Sequence, residues 1–199
     1  IFTKNIAEAA IDGARGNSGV LIAQYFVGFS EGCENKEKLD AQTLGKAFET
    51  GSQSAREAME DPREGTILTV FQDLSDVINA EINNGMDDIY ELMKIGYKTA
   101  CKSLEDTPQK LKILKKAGVV DAGAQGFVDF LTGMMNFMKD GSLKELDFSN
   151  LTIENKESQT EGHHYNEEID INYRYCTECR VQGSQIDKKD LRTKLKKIG

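Results

Sequence analysis

Three glycine-bearing segments of this 199-residue chain each stand at the head of an apolar run. The first is Gly13-Ala14-Arg15-Gly16-Asn17-Ser18-Gly19, directly before Val20-Leu21-Ile22. The second is Glu64-Gly65-Thr66-Ile67-Leu68-Thr69, and the third runs from Ala117 through Gly118, Asp121 and Gly123 to Gly126. Glycine lets backbone N–H groups come close to a ligand, and the start of a helix adds unpaired donors and a partial positive charge, so the chemistry on offer is the binding of phosphate. None of the three has the spacing of a dinucleotide fingerprint, and no lysine follows the last glycine of the first as a P-loop requires. Taken singly, each has a purely structural explanation: a loop or cap, capping by Thr66, and a tight turn between helices with Asp121 as N-cap. Together in one helical domain they can turn several helix starts toward a single anion, which would suit a nucleoside triphosphate.

The elements that must position these segments are helices. From Val20 to Met138 apolar residues recur mainly at helical spacing. Asp40 is placed to cap a helix whose inner face takes Leu44, Ala47, Phe48, Gly51, Ala55 and Ala58. The next carries Leu68, Phe71, Leu74 and Ile78 and is broken at Asn83-Asn84-Gly85; another carries Ile89, Leu92, Met93, Tyr97, Ala100, Cys101 and Leu104. Thr107-Pro108 reads as an N-cap with proline in the first turn, opening a helix that ends at Gly118. Phe127, Phe130, Leu131, Met134 and Met138 form the last stripe, closed by Gly141; Met134, Met135 and Met138 are read as helix core rather than a lipid-contacting surface.

After residue 143 the character changes. Residues 144–166 are a polar linker by composition, and from 167 onward Ile169, Ile171, Tyr173 and Tyr175 alternate with polar residues as in a half-buried strand. Asp187 can cap one more helix bearing Leu191, Leu195 and Ile198. One strand and one helix bury too little to stand alone, so residues 167–199 are expected to open a second α/β domain that continues beyond Gly199.

Of the four cysteines, Cys33 and Cys101 read as structural, the first in a loop after Gly32 and the second on an apolar helical stripe. His163, His164, Cys176 and Cys179 contain the atoms of a tetrahedral zinc set. Cys176 and Cys179, three apart on a strand, would face opposite ways unless a bulge intervened, and the histidines fall in the linker, so a local zinc site is not expected. Composition narrows the partners. A formal net charge of −8 disfavours nucleic acid and anionic membranes. No apolar run is long enough to span a bilayer and no signal-peptide pattern opens the chain, so the expectation is a cytoplasmic protein without membrane insertion.

In order along the chain, Gly13 to Val20, Glu64 to Val70 and Ala117 to Gly126 resemble the signature segments of the dihydroxyacetone kinase nucleotide-binding (DAK2/DhaL-type) domain. Tyr175-Cys176-Thr177-Glu178 makes the match most similar to the branch that includes the catalytic subunit of bacterial fatty acid kinase. The resemblance implies an all-α antiparallel helical barrel, here without its first helix, that binds ATP and Mg²⁺. It implies that Asn17 and Ser18 face the phosphates, that Gly65 and Thr66 lie beside the nucleotide, and that Asp121 and Gly123 close over the adenosine. It further implies phosphorylation of a fatty acid carboxylate to an acyl phosphate, the acid being presented by a DegV-like binding protein, and it is compatible with a homodimer. In that family a cysteine matching Cys176 resembles a Zn²⁺ ligand whose partners lie beyond Gly199.

The sequence departs from the family in one respect. The Asp-Gly-Asp-Thr-Gly segment that supplies the magnesium ligands has no counterpart before Gly13, where Glu8 and Asp12 are the acids. Magnesium needs clustered oxygen ligands to neutralise a triphosphate, so the expectation is that these aspartates lie upstream of Ile1 and that the chain as it stands is inactive. Two alternatives stay open: a dihydroxyacetone kinase nucleotide subunit, which the strand and helix after Glu167 disfavour, and a non-catalytic regulatory or interaction module.

Overall fold

Side-chain caps and glycines set most of the helix boundaries. The computed structural model describes residues 2–33, 36, 38–141 and 186–195. The chain divides into two units, Ile1–Lys144 and Glu145–Gly199. The first unit contains α1 (Phe2–Gly13), α2 (Gly16–Gly32), α3 (Ala41–Ala58), α4 (Ile67–Asn83), α5 (Ile89–Lys110), α6 (Lys112–Ala117) and α7 (Ala122–Asp140). In the second unit one helix, α8 (Lys188–Leu195), is described, and the Asp190 amide donates to Asp187 Oδ1 at 3.1 Å, the cap expected there. The expected strand, the linker, the two histidines, Cys176 and Cys179 lie outside the described residues.

Asp40 accepts the Thr43 amide at 2.7 Å and starts α3; the hydrogen bonds from Thr43 hold its carboxyl below the usual carboxylate range. Asp88 caps α5 in the same way through the Glu91 amide. Gly118 and Gly141 end α6 and α7 in the left-handed conformation, as the sequence indicates.

Two boundaries differ from the sequence reading. Residues 2–13 form α1, which the reading of helical spacing from Val20 onward leaves out; its polar faces carry a weak apolar signal from Phe2, Ile6 and Ala10. Thr107-Pro108 does not open a helix but lies inside α5, which runs on to Lys110. Pro108 has no N–H to offer the carbonyl four residues back, that of Leu104. The buried Thr107 hydroxyl donates to that carbonyl instead, at 2.7 Å, so the helix continues where proline would otherwise interrupt it.

The helices run up and down, each from α1 to α5 packed on the next and α6 on α5, with α7 returning against α5, α4 and α2. The Ser30 hydroxyl near the end of α2 bonds that of Thr3 near the start of α1, which fixes their antiparallel pairing. Helix α2 meets α3 backbone on backbone. A Cβ at Gly28 would collide with the Thr50 carbonyl, and one at Gly32 would lie 2.5 Å from Ala47 Cα. Only glycine allows that approach.

Phe71, Leu74 and Ile78 of α4 are fully buried between Leu92 and Met93 of α5 and Phe127 and Leu131 of α7. Most of the expected stripe residues are in this core, and Met134, Met135 and Met138 pack against it as the core reading requires. Phe130 differs: it remains 46% exposed and meets Phe26 edge-on at 5.7 Å. Beside the core lies an apolar cavity of about 340 Å³, walled by residues that include Phe2, Ile6, Tyr25, Phe48, Met93 and Met134. None of the described helices is long and apolar enough to cross a membrane.

Candidate functional site

The three glycine segments begin α2, α4 and α7, and the up-and-down course of the chain brings those three starts to one end of the unit.

Helix α2 begins without a side-chain cap. Arg15, extended at φ −139°, occupies the N-cap position and makes no capping bond. Its guanidinium turns back to the carbonyls of Asp12 at 3.1 Å and Ala14 at 2.6 Å. Gly16 follows at φ +66°, a conformation that favours glycine, and Gly16, Asn17 and Ser18 are all exposed. The first amides of a helix have no partner within it, and the N-cap residue supplies none here, so these exposed residues offer donors to a ligand.

Helix α4 begins inside a closed network. Gly65, at φ +80°, is buried, and a Cβ there would come within 2.9 Å of the Leu111 backbone nitrogen and Cβ. Its amide donates to the Thr69 hydroxyl at 2.9 Å, and that hydroxyl donates to Glu64 Oε2 at 2.7 Å. Arg56, near the end of α3, donates to Glu64 Oε1 at 2.8 Å. The Thr69 hydroxyl and then Arg56 hold the Glu64 carboxyl below the usual carboxylate range. Thr66 is the N-cap, as expected, accepting the Leu68 amide at 3.4 Å.

Helix α7 begins at Asp121, whose Oδ1 accepts the Ala124 amide at 2.8 Å as the expected N-cap. The same oxygen accepts the Ile67 amide at 3.1 Å, joining the starts of α7 and α4. The Asp121 amide donates to Thr107 Oγ1 at 3.1 Å, which ties in the end of α5. Gly123 faces α2: a Cβ there would lie 2.7 Å from Ser18 Oγ. The structure thus brings together Ser18, Thr66, Asp121 and Gly123, with Asn17 next to Ser18 on the exposed start of α2 and Gly65 buried beneath the start of α4.

Sequence reasoning missed Thr69, Glu64 and Arg56 as one network, and it missed Thr107 as a partner of Asp121. The pairing of a hydroxyl residue with a glycine four positions earlier in Gly65–Thr69 was a local signal. The Arg56–Glu64 and Thr107–Asp121 contacts join different elements and leave no mark in spacing.

Among the described residues, no group of three or more His, Cys, Asp or Glu side chains is placed to hold a metal ion. The described residues therefore do not fit a Mg²⁺ site. Cys33 and Cys101 are free thiols, and burial pushes the Cys33 thiol up. Cys176, the candidate zinc ligand, lies outside the described residues.

The described part of the first unit is an all-α domain that gathers three glycine-marked helix starts at one end. The chain belongs to the DAK2 domain family, whose model matches residues 2–136, and it is thus a domain of the dihydroxyacetone kinase nucleotide-binding type. It is 34% identical over 205 residues to an uncharacterized protein of Staphylococcus haemolyticus, covering 98% of this chain and 36% of that protein. It is 32% identical over 203 residues to uncharacterized proteins of Staphylococcus aureus strains USA300 and N315, with the same coverage. The chain spans about a third of the length of these curated relatives.

Proposed function

We propose that the first unit is the ATP-binding domain of a phosphotransferase and that the nucleotide phosphates seat on the open start of α2, at Gly16, Asn17 and Ser18. The observation that carries this reading is the contrast among the three gathered starts. Those of α4 and α7 are capped by Thr66 and Asp121, while Gly16, Asn17 and Ser18 are exposed at the start of α2, whose N-cap residue makes no capping bond. Exposed helix-start amides with a positive-φ glycine beside them suit a phosphate. Gly123 packs against Ser18 beside this place, and Thr66, with Gly65 buried behind it, starts the adjoining helix on which the rest of the nucleotide would rest.

In the full-length protein we propose that the acceptor is a fatty acid carried by a DegV-like protein. A carboxylate oxygen attacks the γ-phosphorus of ATP, the bond to the β,γ-bridging oxygen breaks, and acyl phosphate and ADP result. This part rests on the resemblance around Tyr175-Cys176-Thr177-Glu178. Mg²⁺ would neutralise the triphosphate charge. Its ligands are to be sought outside the described residues, as are those of any Zn²⁺ at Cys176.

The test is incubation of the full-length protein with Mg²⁺, ATP and a fatty-acid-loaded partner, with hydroxylamine to trap acyl phosphate as a hydroxamate. Hydroxamate that depends on all components supports the reading. ADP formed only with dihydroxyacetone or a phosphocarrier would replace it with the ketose kinase alternative, and absence of any nucleotide binding would leave a non-catalytic module.

A further inference from the structure

We infer that the Asp121 carboxylate is a positioning residue: it clasps the starts of α4 and α7 and so sets where the open amides of α2 lie, and it does not itself touch the nucleotide. The inference rests on the nucleotide reading above.

The carboxylate already holds two helix starts together. Oδ1 accepts two backbone amides, from Ala124 at 2.8 Å and from Ile67 at 3.1 Å, which belong to two helices. Ile67 is 2% exposed, so without this oxygen its amide would be a buried donor with no side-chain acceptor. One negative charge is thereby shared between the positive ends of two helices, which makes that junction a poor seat for a second anion.

The backbone of Asp121 is fixed as well. Its amide donates to Thr107 Oγ1, whose own proton is committed to the Leu104 carbonyl, so the hydroxyl is oriented by a fully buried side chain. Two residues on, Gly123 packs against Ser18 so closely that a Cβ would fall 2.7 Å from Ser18 Oγ and 3.4 Å from Asp121 Oδ1. The start of α2 therefore touches the first turn of α7 at Ser18, and that turn is held by Asp121. A carboxylate that contacted the nucleotide would act through its charge; one that acts as a clasp needs only an oxygen at the Oδ1 position.

Two substitutions separate these roles. Asp121→Asn keeps an acceptor oxygen of the same reach and removes the charge. Asp121→Ser keeps an N-cap for α7, which favours folding, but its shorter side chain is not expected to reach the Ile67 amide. Amide hydrogen exchange at Ile67 and Ala124 and calorimetric titration with ATP are measured on the full-length protein and its variants. The expected result is that Asn retains protection at both amides and ATP affinity within about threefold. Ser is expected to retain protection at Ala124, lose it at Ile67, and weaken ATP by tenfold or more.

If Asn loses affinity while both amides stay protected, the charge meets the ligand and the inference is overturned. It is also overturned if Ser loses protection at Ile67 and binds ATP as the unsubstituted protein does, or if Ser leaves Ile67 protected. Absence of ATP binding by the unsubstituted protein would remove the nucleotide reading and this role with it, while the exchange pattern would still report whether the clasp exists.

Discussion

The ring of Tyr25 lies stacked on that of Phe71, with centroids 4.1 Å apart and planes at 22°, yet its buried hydroxyl finds no hydrogen-bond partner among the described residues. Burial pushes the Tyr25 phenol well above its ordinary range. The ring contributes packing with Phe71 and an edge contact with Phe127 at 5.3 Å, whereas the hydroxyl contributes only lost hydration. Tyr25→Phe keeps the ring and deletes the unpaired group. It is expected to stabilise the protein by about 1 kcal/mol, read as an increase in the urea midpoint at unchanged slope. A loss of stability would mean that the hydroxyl has a partner.

The seam between α2 and α3 makes the opposite prediction for a small change. Gly28→Ala places a methyl group against the Thr50 carbonyl and within 2.7 Å of Ser54 Cβ, and should destabilise by about 1–3 kcal/mol. Gly133→Ala, in the middle of α7 where a Cβ meets nothing within 4 Å, should instead stabilise by about 0.5–1 kcal/mol. Thermal melts of the two variants side by side check both signs.

The uncapped start of α2 sets stability against binding. Arg15→Ser supplies the missing cap and is expected to stabilise the protein by about 1 kcal/mol. The same serine oxygen would occupy an amide proposed for phosphate, so ATP affinity should fall. A variant that melts higher and still binds ATP as before would show that the phosphates seat elsewhere.

Glu64 gives a pH dependence. Its carboxyl is held below the usual range by the Thr69 hydroxyl and then by Arg56, so the ionised form is favoured in the fold. That contribution is fully present above the unfolded-state value and is lost as pH falls through the lower folded-state value. Glu64→Gln should flatten this acid limb of the stability profile. The effect is expected to be small, because the Glu64 side chain is 57% exposed and solvent screens the pair. Denaturant midpoints measured through the acid range would show it, and an unchanged limb would mean that other carboxylates carry it.

Much of this organisation is legible in the sequence because it is local. Asp40, Thr66, Asp121, Gly118 and Gly141 act within a few residues of themselves, and each sets a helix end as its type and position indicate. The period of Phe71, Leu74 and Ile78 likewise reports the face that α4 buries. What spacing does not reveal depends on other parts of the chain. Pro108 carries the signature of a first turn, but the Thr107 hydroxyl, by taking over the Leu104 carbonyl, keeps α5 going. Asp121 reads correctly as a cap, whereas its second bond reaches Ile67, 54 residues away, and follows only from how the helices assemble. Helix α1 rests chiefly on α2, and a helix with one main neighbour needs only a thin apolar edge, which leaves little periodic signal in the sequence.

Where Gly28 and Gly32 bring α2 against the backbone of α3, little side-chain bulk lies between them to reshuffle, and the pair is expected to move as a single stiff spar. A tug at one tip of the spar moves the adjacent tip as well. The last turn of α3, which bears Arg56 and through it grips Glu64 beside α4, is then expected to follow a displacement of the neighbouring start of α2. Loading that start would be felt mechanically at the next helix, with no messenger other than rigidity.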